Sequence, residues 1–337
     1  MKTSKPVNTA AHIAQLILAV MFVFVLVKTL SAVSVAYAAG TRDPAVSGVT
    51  DPVAQAAPML TATSIPARPA ATPTFVPTVP ATPPSGLLGN ISTRGRVGTG
   101  DDVLIGGFII ASAPVKVVVR AIGPSMANAT PPVAGTLQDP VLQLFSGQTM
   151  IAQNDNWQAG NCPTEAPNRN PSDIREACLA ITLDPGPYTA IVRGASGATG
   201  VGLVEVFYAS GAGFLSNIST RGRVGTDADV LIGGFIVAGT PAQVVVRAIG
   251  PSMANVTPPV AGTLPDPMLQ LFSGQTVIAQ NDNWQVGNCP TQAPDRNPKD
   301  IHESCLTINV AAGNYTAIVS GAGNSTGVGL VEIFLSK

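Results

Sequence analysis

Shifted against itself by 127 positions, the 337-residue chain aligns as two copies without a gap, and no other feature limits its possible folds as strongly. Asn90-Ile91-Ser92-Thr93-Arg94-Gly95-Arg96-Val97 returns as Asn217 to Val224, and Arg120-Ala121-Ile122-Gly123-Pro124-Ser125-Met126 returns as Arg247 to Met253. Asn154-Asp155-Asn156-Trp157 matches Asn281-Asp282-Asn283-Trp284, and Gly200 to Glu205 matches Gly327 to Glu332. Solenoid and propeller units repeat every ~20–50 residues, so a period this long doubles a whole domain. Each copy should therefore hold a core of its own.

Within a copy the apolar runs are short, rich in β-branched residues and cut by Gly, Pro, Asn and Asp, almost none long enough for a helix. With 34 Gly, 30 Pro and only 5% aromatic residues, the composition suits short strands and tight turns. The first copy predicts strands near 88–94, 102–111, 115–122, 141–146, 149–153, 180–183, 188–194 and 201–208. That pattern predicts an all-β fold of two tandem antiparallel β-sandwiches, over 86–208 and 213–335, joined by the few residues around Ser210-Gly211-Ala212-Gly213. One departure is Asp173 and Glu176, which have the spacing of a capping box and predict a short helical turn; Asp300 and Glu303 repeat it.

Ahead of the repeats, Lys2 and Lys5 precede an apolar run from Ile13 to Val27, and the segment closes on Ala36-Tyr37-Ala38. A positive start, a central apolar stretch and an A-x-A site describe a secretory signal peptide over 1–38. The rival reading is an uncleaved membrane anchor, because Leu30 to Val35 prolongs the apolar stretch. Residues 39–85 form a Pro/Thr/Ala-rich linker or stalk with no apolar periodicity, expected to be extended and unpacked. Both readings place the repeats outside the cytoplasm, secreted or at the cell surface.

A formal charge of −1 without long charged runs argues against nucleic-acid binding. The only histidines are His12 and His302, which leaves little for general-base or metal chemistry. Gly98-Thr99-Gly100-Asp101-Asp102 lacks the third glycine and the helix of a dinucleotide loop. Ser125 has no nucleophile elbow and no His beside it in the sequence of either copy. Asp101 and Asp102 would point to opposite faces of a strand, and Ala228 replaces Asp101 in the second copy, so they are no glycosidase pair. The expectation is a chain without a catalytic site.

Cys162 and Cys178 lie sixteen residues apart, as do Cys289 and Cys305. Of the three possible connectivities, only pairing within each copy needs no contact between copies, so two such disulfides are expected. Trp157 and Trp284, the only tryptophans, each stand just before a Cys loop and are candidates either for stacking on a ligand or for packing on the disulfide. Asp139, Asn154, Asp155 and Asn156, with Asp266, Asn281, Asp282 and Asn283, are hard oxygen donors suited to calcium, or simply turn formers. Arg120 and Glu205 each interrupt an apolar strand, as do Arg247 and Glu332. A buried lone charge is costly, so each Glu is expected to pair inside the sandwich with an Arg of its own copy: Arg120 and Arg247 first, or otherwise Arg94, Arg96, Arg221 or Arg223.

The segments Asp139-Pro140-Val141-Leu142-Gln143-Leu144-Phe145, Ile151 to Asn156 and Gly186-Pro187-Tyr188-Thr189-Ala190-Ile191-Val192 resemble the bacterial pre-peptidase C-terminal domain over about the last 70 residues of each copy. The resemblance implies a jelly-roll-like, non-catalytic accessory sandwich that in some members binds calcium. The Cys-bearing insertion and the part from Asn90 to Ile122 depart from that pattern. Together these readings predict a secreted or cell-surface protein with an adhesive or structural role, whose partner is a surface polysaccharide or another extracellular protein. A carbohydrate-binding or calcium-dependent module is the alternative, and a hydrolase with an unfamiliar site is the third.

Overall fold

The computed structural model describes residues 86–159, 162, 169–286, 289 and 297–336; the signal and stalk over 1–38 and 39–85 lie outside these. The described residues are all-β, with short 3-10 turns and no α-helix. The first copy forms β1 (Leu87–Val97), β2 (Leu104–Ala111), β3 (Val115–Ile122), β4 (Pro140–Ser146), β5 (Thr149–Asn154), β6 (Ala177–Leu183), β7 (Gly186–Gly194) and β8 (Gly200–Gly211). The second forms β9 (Phe214–Val224), β10 (Leu231–Ala238), β11 (Ala242–Ile249), β12 (Pro267–Ser273), β13 (Thr276–Asn281), β14 (Ser304–Val310), β15 (Gly313–Gly321) and β16 (Gly327–Ser336).

Pairing resolves into two antiparallel runs of eight. The first layer is β6-β3-β8-β1-β10-β15-β12-β13. The second is β14-β11-β16-β9-β2-β7-β4-β5. Each layer takes four strands from each copy. Parallel bridges between β1 and β9, at Leu88 with Leu215 and Arg96 with Arg223, join the layers into one network. Period-2 alternation turns Val117, Val119 and Ala121 of β3 and Val204 and Val206 of β8 toward Leu142 and Leu144 of β4 and Ala190 and Val192 of β7. Their counterparts in the second copy belong to the same continuous core.

The copies are therefore not separate bodies on a linker, as the sequence predicts. In an isolated copy β1 and β2 would be open edges; here β10 extends β1 and β2 extends β9, so both edges are closed by the other copy. The bridged pairs are residues 127 positions apart, which makes β1 and β9 neighbours about a pseudo-twofold axis. On that axis the Thr93 hydroxyl donates to Thr220 Oγ1 at 2.8 Å, buried. Arg94 is buried near this junction, and burial pulls its guanidinium down to about 10, opposed by Asp229 of the other copy. Only Ala212 and Gly213 connect β8 to β9, and a Cβ at Gly213 would lie 1.9 Å from the Ala113 carbonyl oxygen, so glycine alone permits the crossing.

Candidate functional site

On β3 and β8 the residues alternate with the core: Val118, Arg120 and Ile122, with Leu203, Glu205 and Phe207, face outward from the first layer. A 3-10 turn at Trp157–Ala159 and the Cys162–Cys178 disulfide fold over this outer face. There Trp157, Cys162, Ala180 and Ala209 pack on Val118, Cys178 and Phe207. The second copy repeats the disulfide as Cys289–Cys305, and both pairs have Cα atoms 5.4 Å apart. Trp284 Nε1 donates to the Asp300 carbonyl at 2.9 Å, which fixes the ring orientation. Both tryptophans are half-buried, and Trp157 Nε1 is buried without a hydrogen-bond partner among the described residues. Closing a loop of this length stabilises the fold by ~3 kcal/mol per disulfide. Reduction is expected to lower the melting temperature measurably; unchanged melts with and without reductant would refute that contribution.

Beneath the loop lie the charged residues. Arg120 Nε donates to Glu205 Oε2 at 2.9 Å, Nη2 donates to the same oxygen, and Nη1 donates to the Arg169 carbonyl at 2.6 Å. The guanidinium stands 4.7 Å from the Phe207 ring centroid, and that of Arg169 stands 5.5 Å from it. Arg247 Nε donates to Glu332 Oε2 at 3.0 Å, and its guanidinium stands 4.8 Å from the Phe334 centroid. The structure thus brings together the four charges singled out in the sequence, with two differences. They lie on the outer face under the loop rather than between the layers. Both donors converge on one oxygen, leaving Glu205 Oε1 buried without a partner. Burial pushes both carboxyls above the usual range, while the neighbouring guanidinium opposes the rise.

Glu176 has a role that its capping-box spacing only partly discloses. It is fully buried, and its Oε1 accepts the Gly123 N–H at 3.0 Å, the Ser125 N–H at 2.9 Å and the Ser125 hydroxyl at 2.6 Å. Oε2 accepts the Asp173 N–H at 3.3 Å, the return bond of a capping box, closing a turn rather than the expected helical one. Glu303 repeats these bonds to Gly250, Ser252 and Asp300. This carboxylate ties the Gly-Pro-Ser turn to the start of the strand carrying the second cysteine. Glu176→Gln places an amide N–H against the Asp173 N–H and is expected to cost about 2 kcal/mol in a denaturant titration; an unchanged midpoint would refute it.

The calcium set does not assemble as the sequence suggests. Asn154 Oδ1 accepts the Cys178 N–H at 2.8 Å and its Nδ2 donates to the Asn156 carbonyl at 3.1 Å, so this amide is spent on β6. Asn281 does the same with Cys305 and Asn283. Burial, with Asp155 and Asp173 nearby, raises the Asp139 carboxyl, while Arg175 beside it opposes that rise and competes with a cation. Burial and Asp282 likewise raise Asp266. Among the described residues no three acidic, His or Cys side chains converge as metal ligands. Asp101 and Asp102 both sit in the turn before β2 rather than in the strand, and the Ser125 hydroxyl is held by Glu176. The acceptor asparagine of Asn90-Ile91-Ser92 is buried, which rules that position out for glycosylation as folded.

Compared with protein-family models, the chain matches none, and no curated protein matches it. No helix among the described residues is long and apolar enough to cross a membrane. The chemistry of the site therefore rests on its geometry. Each copy carries one Trp–disulfide loop on the outward face of its β3- or β11-containing run, and these runs belong to different layers. The two loops accordingly face away from each other across the core.

Proposed function

We propose that this is an exported, non-catalytic protein with an adhesive or structural role, in which two jelly-roll-like sandwiches present equivalent Trp–disulfide loops on opposite faces. The observation that carries the reading is the placement of the two loops on different layers of one continuous core. A flexible pair of modules gains avidity through linker reach, whereas a fused pair fixes the spacing and direction of its two sites. That geometry suits joining two partners, such as two polysaccharide strands or a polysaccharide and a surface protein. Two disulfides are consistent with an oxidising, extracytoplasmic location. The likeness to pre-peptidase C-terminal domains points to the same accessory role.

The test is a polysaccharide-binding screen of the exported chain, followed by Trp157→Ala, Trp284→Ala and the double variant. Each single variant should retain binding to one partner molecule but lose the ability to bridge two, and the double variant should lose binding. Undiminished binding by a folded double variant would reject the loops as the site. Calcium-dependent binding would instead favour the accessory-module alternative, and turnover of a polysaccharide would revive the hydrolase.

A further inference from the structure

Where the two copies meet, sheet edges are closed; the far ends of the layers are not. Among the described residues four strands have a partner on one side only: β6 and β13 end the first layer, and β14 and β5 end the second. In an antiparallel pair, alternate residues of an edge strand turn their backbone N–H and C=O groups outward, unpaired. Natural edges are ordinarily blunted by Lys, Pro, an inward-pointing charge or a bulge; here the one such device is a register shift in each edge, at Ile151 and at Ile278. Thr149-Met150-Ile151-Ala152-Gln153-Asn154 and Thr276-Val277-Ile278-Ala279-Gln280-Asn281 contain neither charge nor proline. Their apolar residues stand in solvent, with Met150 47% exposed, Ile151 39%, Val277 43% and Ile278 37%.

We propose that β5 of one molecule pairs with β13 of the next, so that copies of this chain join end to end. Three observations point to a second copy as the occupant. The molecule already joins its own two halves by edge-to-edge antiparallel pairing, at β1 with β10 and β2 with β9. β5 and β13 lie at opposite ends, since β5 packs beside β6 at one end and β13 beside β14 at the other. The ends are also unlike, because three substitutions between the copies change their apolar side chains. Met150 stands where the second copy has Val277, and Met268 and Val286 stand where the first has Val141 and Ala159. The result is a longer apolar side chain on β5, while Met268 and Val286 line an open groove beside β13 together with Gln270, Gln280 and Asn283.

A head-to-tail contact between unlike ends leaves one edge of each added copy open to the next, so it generates rows or rings of more than two copies. This deepens the structural role proposed above by naming the partner as the chain itself, and it does not use the Trp loops.

Sedimentation velocity of the full exported chain over a concentration series tests the proposal. The wild type should grow into species larger than a dimer as concentration rises. Ile151→Lys and Ile278→Lys, each placing a charge on one edge, should each remain monomeric. A mixture of the two should form dimers, because one variant retains β13 and the other β5. Ile174→Lys, at a residue 61% exposed but off both edges, should assemble like the wild type. A wild type that stays monomeric throughout overturns the proposal. So does an Ile174→Lys variant as impaired as the edge variants, or self-association of either edge variant alone, which would mean like-with-like pairing. Trp157→Ala with Trp284→Ala should assemble normally, so failure of the loop reading and failure of this one are read out separately.

Discussion

The first copy expressed alone, residues 86–211, is expected to form a symmetric dimer rather than a monomer. Removing β9 and β10 strips the hydrogen-bond partners from β1 and β2 and exposes Leu88, Ile91, Leu104, Phe108 and Ile110, which share one core with Leu215, Ile218, Leu231 and Phe235. Because the copies are so alike, a second molecule can supply β1 for the missing β9 and β2 for the missing β10, and the pseudo-twofold axis becomes a true one. Folding is then coupled to association, and stability depends on concentration. A hundredfold dilution should lower the melting midpoint by roughly 5–10 °C. A fragment that sediments as a monomer and melts at the full chain's temperature would show that the shared edges contribute nothing.

Breaking the buried pair under the loop is expected to be nearly as damaging. Glu205→Gln leaves the Arg120 guanidinium enclosed by Phe207, Arg169 and the loop with no countercharge, and Arg120→Met leaves the carboxyl without its donors. Each should cost about 3–5 kcal/mol, as for removal of one partner of a buried ion pair. The double variant should cost clearly less than the sum, because the second substitution removes the charge that the first left stranded. Arg247 and Glu332 should show a weaker version, their side chains being 14% exposed each against 10% and 1% in the first copy. Small additive effects in thermal melts would mean that water reaches the pair freely.

Much of the local structure was legible in the residues. The eight runs read in the first copy all overlap strands, the second starting at Leu104 rather than at 102, because Val, Ile and Leu runs cut by Gly, Pro, Asn and Asp have few conformational alternatives. The same logic paired the cysteines, since each copy carried its own two. Glu176 was legible only in part: a capping-box spacing is a local signal, whereas its bonds to Gly123 and Ser125 span about fifty residues and have no periodicity to reveal them. The backbone contacts of Asn154 and Asn281 were hidden for a related reason. Composition shows how many oxygens a loop holds, but not that Asn154 will face the Cys178 N–H.

Taken alone, then, the sequence determined which residues extend, which alternate inward, and that whatever one copy does the other repeats, because these follow from side-chain period and identity at single positions. Two matters were decided only by the tertiary structure. One is which face of β3 and β8 carries Arg120 and Glu205: alternation put both on the same kind of face, but only the packed loop made an outward face a buried one. The other is that the two copies share one core. An open edge and a closed edge have the same residues and the same pattern, and what distinguishes them is whether another strand is in reach, which depends on how Ala212 and Gly213 turn the chain back beside β1 and β2.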